Sequence, residues 1–302
     1  MAISRAQLAK ELEPGLNALF GLEYNRYENE HSEIFDEESS DRAFEEEVML
    51  GGFASAPVKS EGGAISFDDA QETYTARYTN ETIALAFSIT EEAIEDNLYD
   101  RLASRYTKAL ARSMAQTKQI KAANVLNNAF RAGVNAIGDG VALCSTAHPS
   151  LSGSQTNLLA TAADLNETSL ESMLIAIAGM TDERGLKIAI RGMKLIIPKE
   201  LQFIAERVMN SNLRSGTADN DNNAMKNMGL LPEGAAVNHF LTDTDAFFVK
   251  TDAPNGFKYF NRSAIKTAME GDFDTGNMRF KARERYSFGV SDWRGVFGTP
   301  GA

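Results

Sequence analysis

From Met278 to Val290 the chain alternates with period two. Met278, Phe280, Ala282, Tyr286, Phe288 and Val290 fall on one side, Arg279, Lys281, Arg283 and Arg285 on the other, with Glu284 the one misfit. That pattern marks a β-strand with one buried face, and at about 3.4 Å per residue it would run over 40 Å. Ordinary strands have five or six residues. A second element is equally overlong. The helical pattern from Thr90 to Ala132, with Ser88 and Glu91 spaced as a capping box and Gly133 as its stop, would make a helix of about 65 Å. No sustained heptad explains it as a coiled coil. One overlong strand and one overlong helix predict an elongated plate.

The helix is polarised as well as amphipathic. Leu102, Tyr106, Leu110 and Met114 form an apolar stripe, and Arg101, Arg105, Lys108 and Arg112 share a separate face. Residues 91–100 carry five acids and no base; residues 101–121 carry six bases and no acid. The first fifty residues hold 13 acidic side chains against four basic ones, most of the chain's net charge of −12. A basic stripe is ordinarily a solvated face. The sharper reading is complementarity between copies of the chain, with the helix bases and Arg279, Lys281, Arg283 and Arg285 facing acidic arms.

Residues 4–12 read as a short helix stopped by Pro14-Gly15, and residues 24–47 as a charged segment too poor in apolar side chains to fold unaided. Glycine pairs and Pro57 mark residues 51–63 as a mobile loop that carries Lys59. Tyr74 to Tyr78 and Ile83 to Ile89 alternate on either side of Thr79-Asn80 and read as a long hairpin. Beyond Gly133 the pattern is mixed α/β. It predicts helices over 168–180 and 199–210, a buried strand at 195–198, a polar loop over 211–229, and strands at 235–241, 246–250 and 257–261.

A chain of 302 residues buries a sizeable core without metal or disulfide staples. Its single cysteine excludes an internal disulfide framework, and one Cys with three scattered His offers no soft-ligand metal cage. The net negative charge disfavours general binding to a phosphate backbone. No apolar run approaches the ~18 residues of a membrane span, and the amino terminus lacks the apolar core of a signal peptide.

Catalytic motifs are weak. Cys144 and His148 could pair as nucleophile and base, but adjacency supplies neither the hydrogen bond nor the orienting third group. Asp219, Asp221 and Asn223 begin like a calcium loop, yet Ala224 and Leu230 occupy the obligatory glycine and glutamate positions. Asp272 and Asp274 lack anything that would separate their pKa values. Residues 179–187 have no phosphate-loop spacing.

The run Leu143 to Pro149 (LCSTAHP) resembles a segment of phage major head proteins. So do Leu201-Gln202-Phe203 with Ala205-Glu206-Arg207, Gly216 to Asp221, Asp252 to Gly256, Met269 to Asn277 and Lys281 to Phe288. Over roughly residues 70–298 the chain is similar to the Mu-type major head subunit group. The resemblance implies the tailed-phage major capsid fold shared with encapsulins, of α+β class. It divides the chain into an N-terminal arm (1–50), an extended loop (51–88), a peripheral domain with a spine helix (89–140 and 270–302) and an axial domain (141–269). It implies a structural protein with no cofactor, whose pentamers and hexamers form an icosahedral head around packaged double-stranded DNA. Assembly in the bacterial host cytoplasm, location in the virion, and scaffold, portal and decoration partners belong to the same expectation. With only a short arm, the chain uses a separate scaffold or represents a mature form. Some relatives crosslink a loop lysine to a neighbour's asparagine; Lys59 matches the lysine alone. An encapsulin-like compartment shell is the nearest alternative and a Cys–His hydrolase a remote one.

Overall fold

In the computed structural model, which describes residues 5–95, 99–134, 137–213, 221–272 and 274–302, the alternating run is one strand with the expected bounds. This strand, β9 (Met278–Val290), pairs antiparallel with β8 (Phe257–Gly271) and with β4 (Glu81–Ile89). A short β1 (Asp36–Ser39) adds in parallel to the far side of β8, giving the order β1-β8-β9-β4. Two other strands, β2 (Phe44–Gly51) and β3 (Gln71–Thr79), form a separate antiparallel ribbon.

The expected hairpin of residues 74–89 is corrected by this pairing. Its two halves lie side by side in sequence but enter different sheets, and Asn80 holds the crossing. Its Nδ2 donates to Ser40 Oγ (2.7 Å) and to the Arg42 carbonyl (3.0 Å), and Ser287 Oγ donates to its Oδ1 (3.2 Å). Thr79-Asn80 has none of the φ > 0 glycine chemistry a two-residue hairpin turn demands. The partner strands lie far off in sequence, which no local pattern displays.

The described residues of the helical region are α2 (Glu91–Glu95) and α3 (Tyr99–Asn127), and residues 96–98 between them lie outside the described residues. Ser88 belongs to β4, and the cap is Thr90, whose Oγ1 accepts from the Ala93 amide at 3.4 Å. The long helix lies on the inner face of the sheet. Ala103, Leu110, Ala111 and Met114 are buried there with Phe280 and Ala282, whereas Tyr106 stays half exposed against Phe87. The apolar seam thus favours small residues beside Leu110 and Met114, letting helix and sheet approach closely.

The amino-terminal readings are also corrected. Pro14 does not stop the first helix, because α1 runs Arg5–Tyr24 through it. Proline costs an interior helix a hydrogen bond, and burial of Leu16 and Phe20 against Phe280 and Met114 offsets that loss. The segment after it is ordered on its own chain. Ile34 and Phe35 are fully buried, with Phe35 edge-on to Phe257 (5.2 Å) and Phe288 (5.1 Å). Its acids find basic partners nearby: Asp36 pairs with Lys250 (3.2 Å), Glu38 and Glu47 with the buried Lys258, and Glu30 meets His239 Nδ1 (2.7 Å). Burial opposes the Lys258 charge, yet Glu47 and Glu38 together hold its pKa above the usual lysine value.

In the same segment His31 lies edge-on to Tyr259 and Phe288. Burial pulls its imidazole down to about 4, whereas in the unfolded chain it titrates near 6.5. Between those values the unfolded state binds the extra proton. Stability is therefore fully retained above about pH 6.5 and falls toward pH 4, by up to about 3 kcal/mol. Denaturant titrations at pH 7 and 5 should register the slope, and His31→Phe should flatten it. An unchanged slope in the variant removes His31 as its source.

Strands from residues 192–251, with one returning from residues 296–299, build the second sheet, in the order β10-β7-β5-β6. It comprises β5 (Gly192–Pro198), β6 (Ala235–Asn238), β7 (Phe247–Thr251) and β10 (Val296–Thr299). Helix α4 (Glu167–Ala178) starts at Asn166, which forms a reciprocal capping box with Ser169. A 3-10 turn leads into α5 (Gln202–Asn210), and a short α6 (Ala224–Met228) follows. The main core joins this sheet to the near end of the long one through Phe247, Phe248, Trp293, Phe297, Phe257 and Tyr286.

The misfit acid of the sequence pattern lies inside. Glu284 is only 1% exposed on the buried face of β9, where it meets Lys118 of α3 at 2.8 Å and accepts from Tyr24 Oη at 3.1 Å. The rings of Tyr24, Tyr259 and Tyr286 surround the Lys118 ammonium at 5.2–5.8 Å. Burial, then the Glu284 charge, keeps the Tyr24 and Tyr286 hydroxyls protonated well above the usual tyrosine range. One ion pair thereby ties α1, α3 and the long sheet together.

Candidate functional surface

The β2–β3 ribbon carries the most exposed part of the chain. Its register runs from Phe44↔Thr79 to Gly51↔Gln71, and residues 52–70 connect the strands without regular structure. Val58 is 99% and Phe67 96% exposed, and Phe53 and Ile65 are also largely in solvent. Exposed apolar side chains grouped in one projecting loop mark an interaction surface rather than a solvated turn. Lys59 lies among them, also exposed.

The root of the ribbon is fixed by one residue that sequence reasoning missed. Arg184 donates from Nε to the Gly52 carbonyl (3.2 Å) and from Nη2 to the Asp69 carbonyl (2.7 Å), holding both legs. Asp182 Oδ1 shapes the loop behind it, accepting from the Arg184 and Leu186 amides. Nothing within residues 179–187 announces this, because the partner carbonyls lie more than a hundred residues upstream. On the other side of the ribbon, Gly138 (φ +87°) lies against the Thr75 backbone, where a Cβ would approach the carbonyl oxygen to 2.2 Å. Only glycine fits there.

Of the basic positions singled out, those on β9 share one face of the sheet. Arg279, Lys281 and Arg283 are exposed and Arg285 is half-buried. Same-face neighbours along a strand stand about 6.8 Å apart, so the four make a ladder. Small residues flank it: Lys281 lies between Ala86 and Ala268, and Arg283 between Ala84 and Lys266. Arg279 is drawn to Asp272, whose carboxyl is held below the usual range by Thr275 and by Arg279 itself. Asp272 thus shapes a turn and forms no acid–base pair with Asp274. On α3, Arg112 is bound to Glu23 of its own chain. Arg105 is exposed and Lys108 half-buried. The Arg101 side chain lies outside the described residues.

The catalytic candidates do not assemble. Cys144 is buried against Gly298 and Phe248, and burial pushes its thiol up, away from the thiolate form. His148 turns elsewhere: its Nδ1 meets Asp139 Oδ2 (2.6 Å), its Nε2 meets Asn157 Oδ1 (3.0 Å), and its ring stacks on Trp293 at 4.3 Å. Asn157 Nδ2 donates to the carbonyls of Leu143, Trp293 and Val296, so the group joins loop, core and carboxy-terminal strand. In the calcium-like run, Asp219 lies outside the described residues and Asn223 caps α6. Among the described residues, no three His, Cys, Asp or Glu side chains are grouped to hold a metal ion, and no helix is long and apolar enough to cross a membrane.

A family model described as phage capsid protein matches residues 73–298. No curated protein matches the sequence. Among solved structures, the chain is similar to the capsid of an empty GTA particle, at 13% identity and a TM-score of 0.55, covering 90% of this chain and 89% of that one. It is similar to the capsid of the myovirus XM1 at 11% identity, a TM-score of 0.53 and 89% coverage of both chains. A virus-like particle from Pyrococcus furiosus aligns over 94% of this chain and 97% of its own, at 9% identity and a TM-score of 0.54. At such identities the likeness is one of fold.

Proposed function

The chain belongs to the phage capsid protein family, and from that membership we propose that its copies close into the icosahedral head of a tailed phage or prophage. It is a structural capsid protein with the α+β capsid fold. The observation that carries the closer reading is the apolar loop of residues 52–70, which the subunit leaves in solvent and a neighbouring subunit can cover. Pentamers and hexamers follow from heterologous contact, one patch meeting a different patch until rings close. Many weak contacts made together raise the effective concentration steeply. Packaged double-stranded DNA is enclosed without sequence-specific contact, and the subunit works without catalysis or cofactor, in keeping with its buried thiol. Assembly in the host cytoplasm with separate scaffold, portal and decoration proteins, and kinship with the Mu-type group, belong to the same proposal. The four-part division into arm (1–50), extended loop (51–88), peripheral domain (89–140 and 270–302) and axial domain (141–269) belongs to the same proposal. Negative-stain imaging of the purified chain tests it: closed shells are expected, and a chain that stays monomeric at every concentration overturns it. An encapsulin-like shell would be distinguished by enclosed protein cargo and no DNA.

The basic ladder is assigned to the contacts between subunits. With the acids of residues 23–47 largely paired inside their own chain, Lys281 and Arg283 are left for acids of a neighbour. Lys266 directly opposite Arg283 is a like-charge pair that costs the lone subunit stability. Lys59 and Arg105 are assigned to the same contacts by their exposure, and the half-buried Lys108 by its place on the same helix face as Arg105. Converting Arg279, Lys281 and Arg283 to Glu should leave folding intact, lower the yield of shells several-fold and change its salt dependence. Unaltered yield and salt response would return these side chains to the role of a solvated face.

A further inference from the structure

A cavity of about 470 Å³ opens where the root of the β2–β3 ribbon meets the loop of residues 182–190. Its walls are apolar, from Met49, Leu50, Ile188, Ile190 and Pro254. Its polar lining is acidic: Asp182, Glu183, Asp252 and Asp292 surround Arg294, the one cation among the lining residues. That cation is fully committed, with Nη2 on Glu183 Oε1 (2.8 Å), Nη1 on Asp292 Oδ1 (3.3 Å) and Nε on the Thr181 carbonyl (2.9 Å). Asp182 and Asp252 each use Oδ1 to accept backbone amides. Glu183 is 3% exposed, and its Oε2 is buried with no hydrogen-bond partner. A buried carboxyl oxygen left without a partner carries a desolvation penalty. Burial, with the Glu183 charge adding to it, pushes the Asp292 carboxyl above its usual range against the pull of Arg294.

Four carboxylates and one spent guanidinium leave an excess of negative charge, and the greasy walls do not suit a hydrated inorganic ion. The geometry points to a binding site for an alkylammonium or alkylguanidinium cation at the root of the projecting ribbon. Its charged head lies among Asp182, Glu183 and Asp252, and its stem lies along Met49, Leu50 and Ile190. The cavity is walled by the ribbon on one side and the body on the other, so the bound cation ties the two together beside the Arg184 clasp. A lysine or arginine side chain of a second copy and a free diamine present this same chemistry.

Agmatine, which carries both head groups on a short alkyl stem, is the probe. Titrated into the full-length subunit held below the concentration at which it assembles, it should bind saturably by calorimetry and raise Tm by several degrees. Choline at equal ionic strength should not. Asp182→Asn and Asp252→Asn keep the backbone acceptor and should weaken binding at least tenfold; Glu183→Gln should abolish it. Glu61→Gln, in the exposed loop, should change nothing. Absence of saturable binding, or binding indifferent to Asp182→Asn and Asp252→Asn, overturns the assignment. Assembled shells then identify the source: agmatine excluded from shells but bound by subunits assigns the site to a neighbour's side chain, and equal binding to both assigns it to a free diamine. The titration reads a single chain and stands apart from shell closure.

Discussion

Replacing residues 53–69 by Asn-Gly is expected to leave a folded, soluble subunit that closes no shells. Gly51 and Gln71 are already paired across the ribbon, so a short turn can join the strands without disturbing their register. The excised residues bury almost nothing within their own chain. The loss inside the subunit includes the Ala54–Asp68 hydrogen bond, one leg of the Arg184 clasp and the half-exposed Arg184–Asp68 ion pair. Stability should therefore shift by no more than about 1 kcal/mol, as surface changes do. What disappears is Phe53, Val58, Ile65 and Phe67, whose burial on a neighbour would contribute on the order of 1.5–3 kcal/mol each. Repeated at every subunit of a closed shell, that loss is decisive. Sedimentation and electron microscopy of the shortened chain, with thermal denaturation as the folding control, measure both halves of the expectation. Normal particles from this variant would mean that the loop braces nothing.

The second large effect belongs inside the subunit. Glu284→Gln should destabilise the chain by about 3 kcal/mol, because it strands the Lys118 ammonium among three tyrosine rings with no counter-charge. The double variant Lys118→Met with Glu284→Leu should recover most of that loss, since a well-packed apolar pair avoids desolvating either charge. Denaturant midpoints of Lys118→Met, Glu284→Leu and the double variant close the cycle. A Glu284→Gln variant as stable as the parent would show the pair to be solvated. Tyr24 bonds the same carboxylate, so the single variant should also loosen α1, seen as faster proteolysis before residue 24.

Much of the architecture was legible because it is written locally. The strand Met278–Val290 declares itself through its own alternation, and helix α4, strand β5 and helix α5 overlap the segments expected at 168–180, 195–198 and 199–210. The exposed glycine-flanked loop was equally plain, since no periodic pattern competes with it. The pairing of β3 was not. Tyr74 to Tyr78 fits a buried strand face with any partner, and only the position of Asn80 between Ser40, Arg42 and Ser287 decides that it turns to β2 while β4 turns to β9.

The acidic segment is the clearest case of a reading that composition alone misdirects. Three apolar side chains in residues 24–47 seem too few for folding, yet two of them, Ile34 and Phe35, enter the main core. The acids around them meet Lys250, Lys258 and His239, basic side chains more than two hundred residues away. The candidate surface divides the same way. Lys59 and the β9 ladder are visible in the sequence, whereas Arg184 and the acidic cavity exist only once four distant segments meet.

Taken by itself, the order of residues determined the length and buried face of the strand and the exposed loop. These depend on hydrophobic period, turn chemistry and residue type, all expressed within a few neighbours. Tertiary structure alone decided which strands pair, that the helix continues through Pro14, and that Glu284 is matched with Lys118. Those outcomes turn on burial and charge compensation between groups far apart in the chain, whose energies arise only when the fold has brought them into contact.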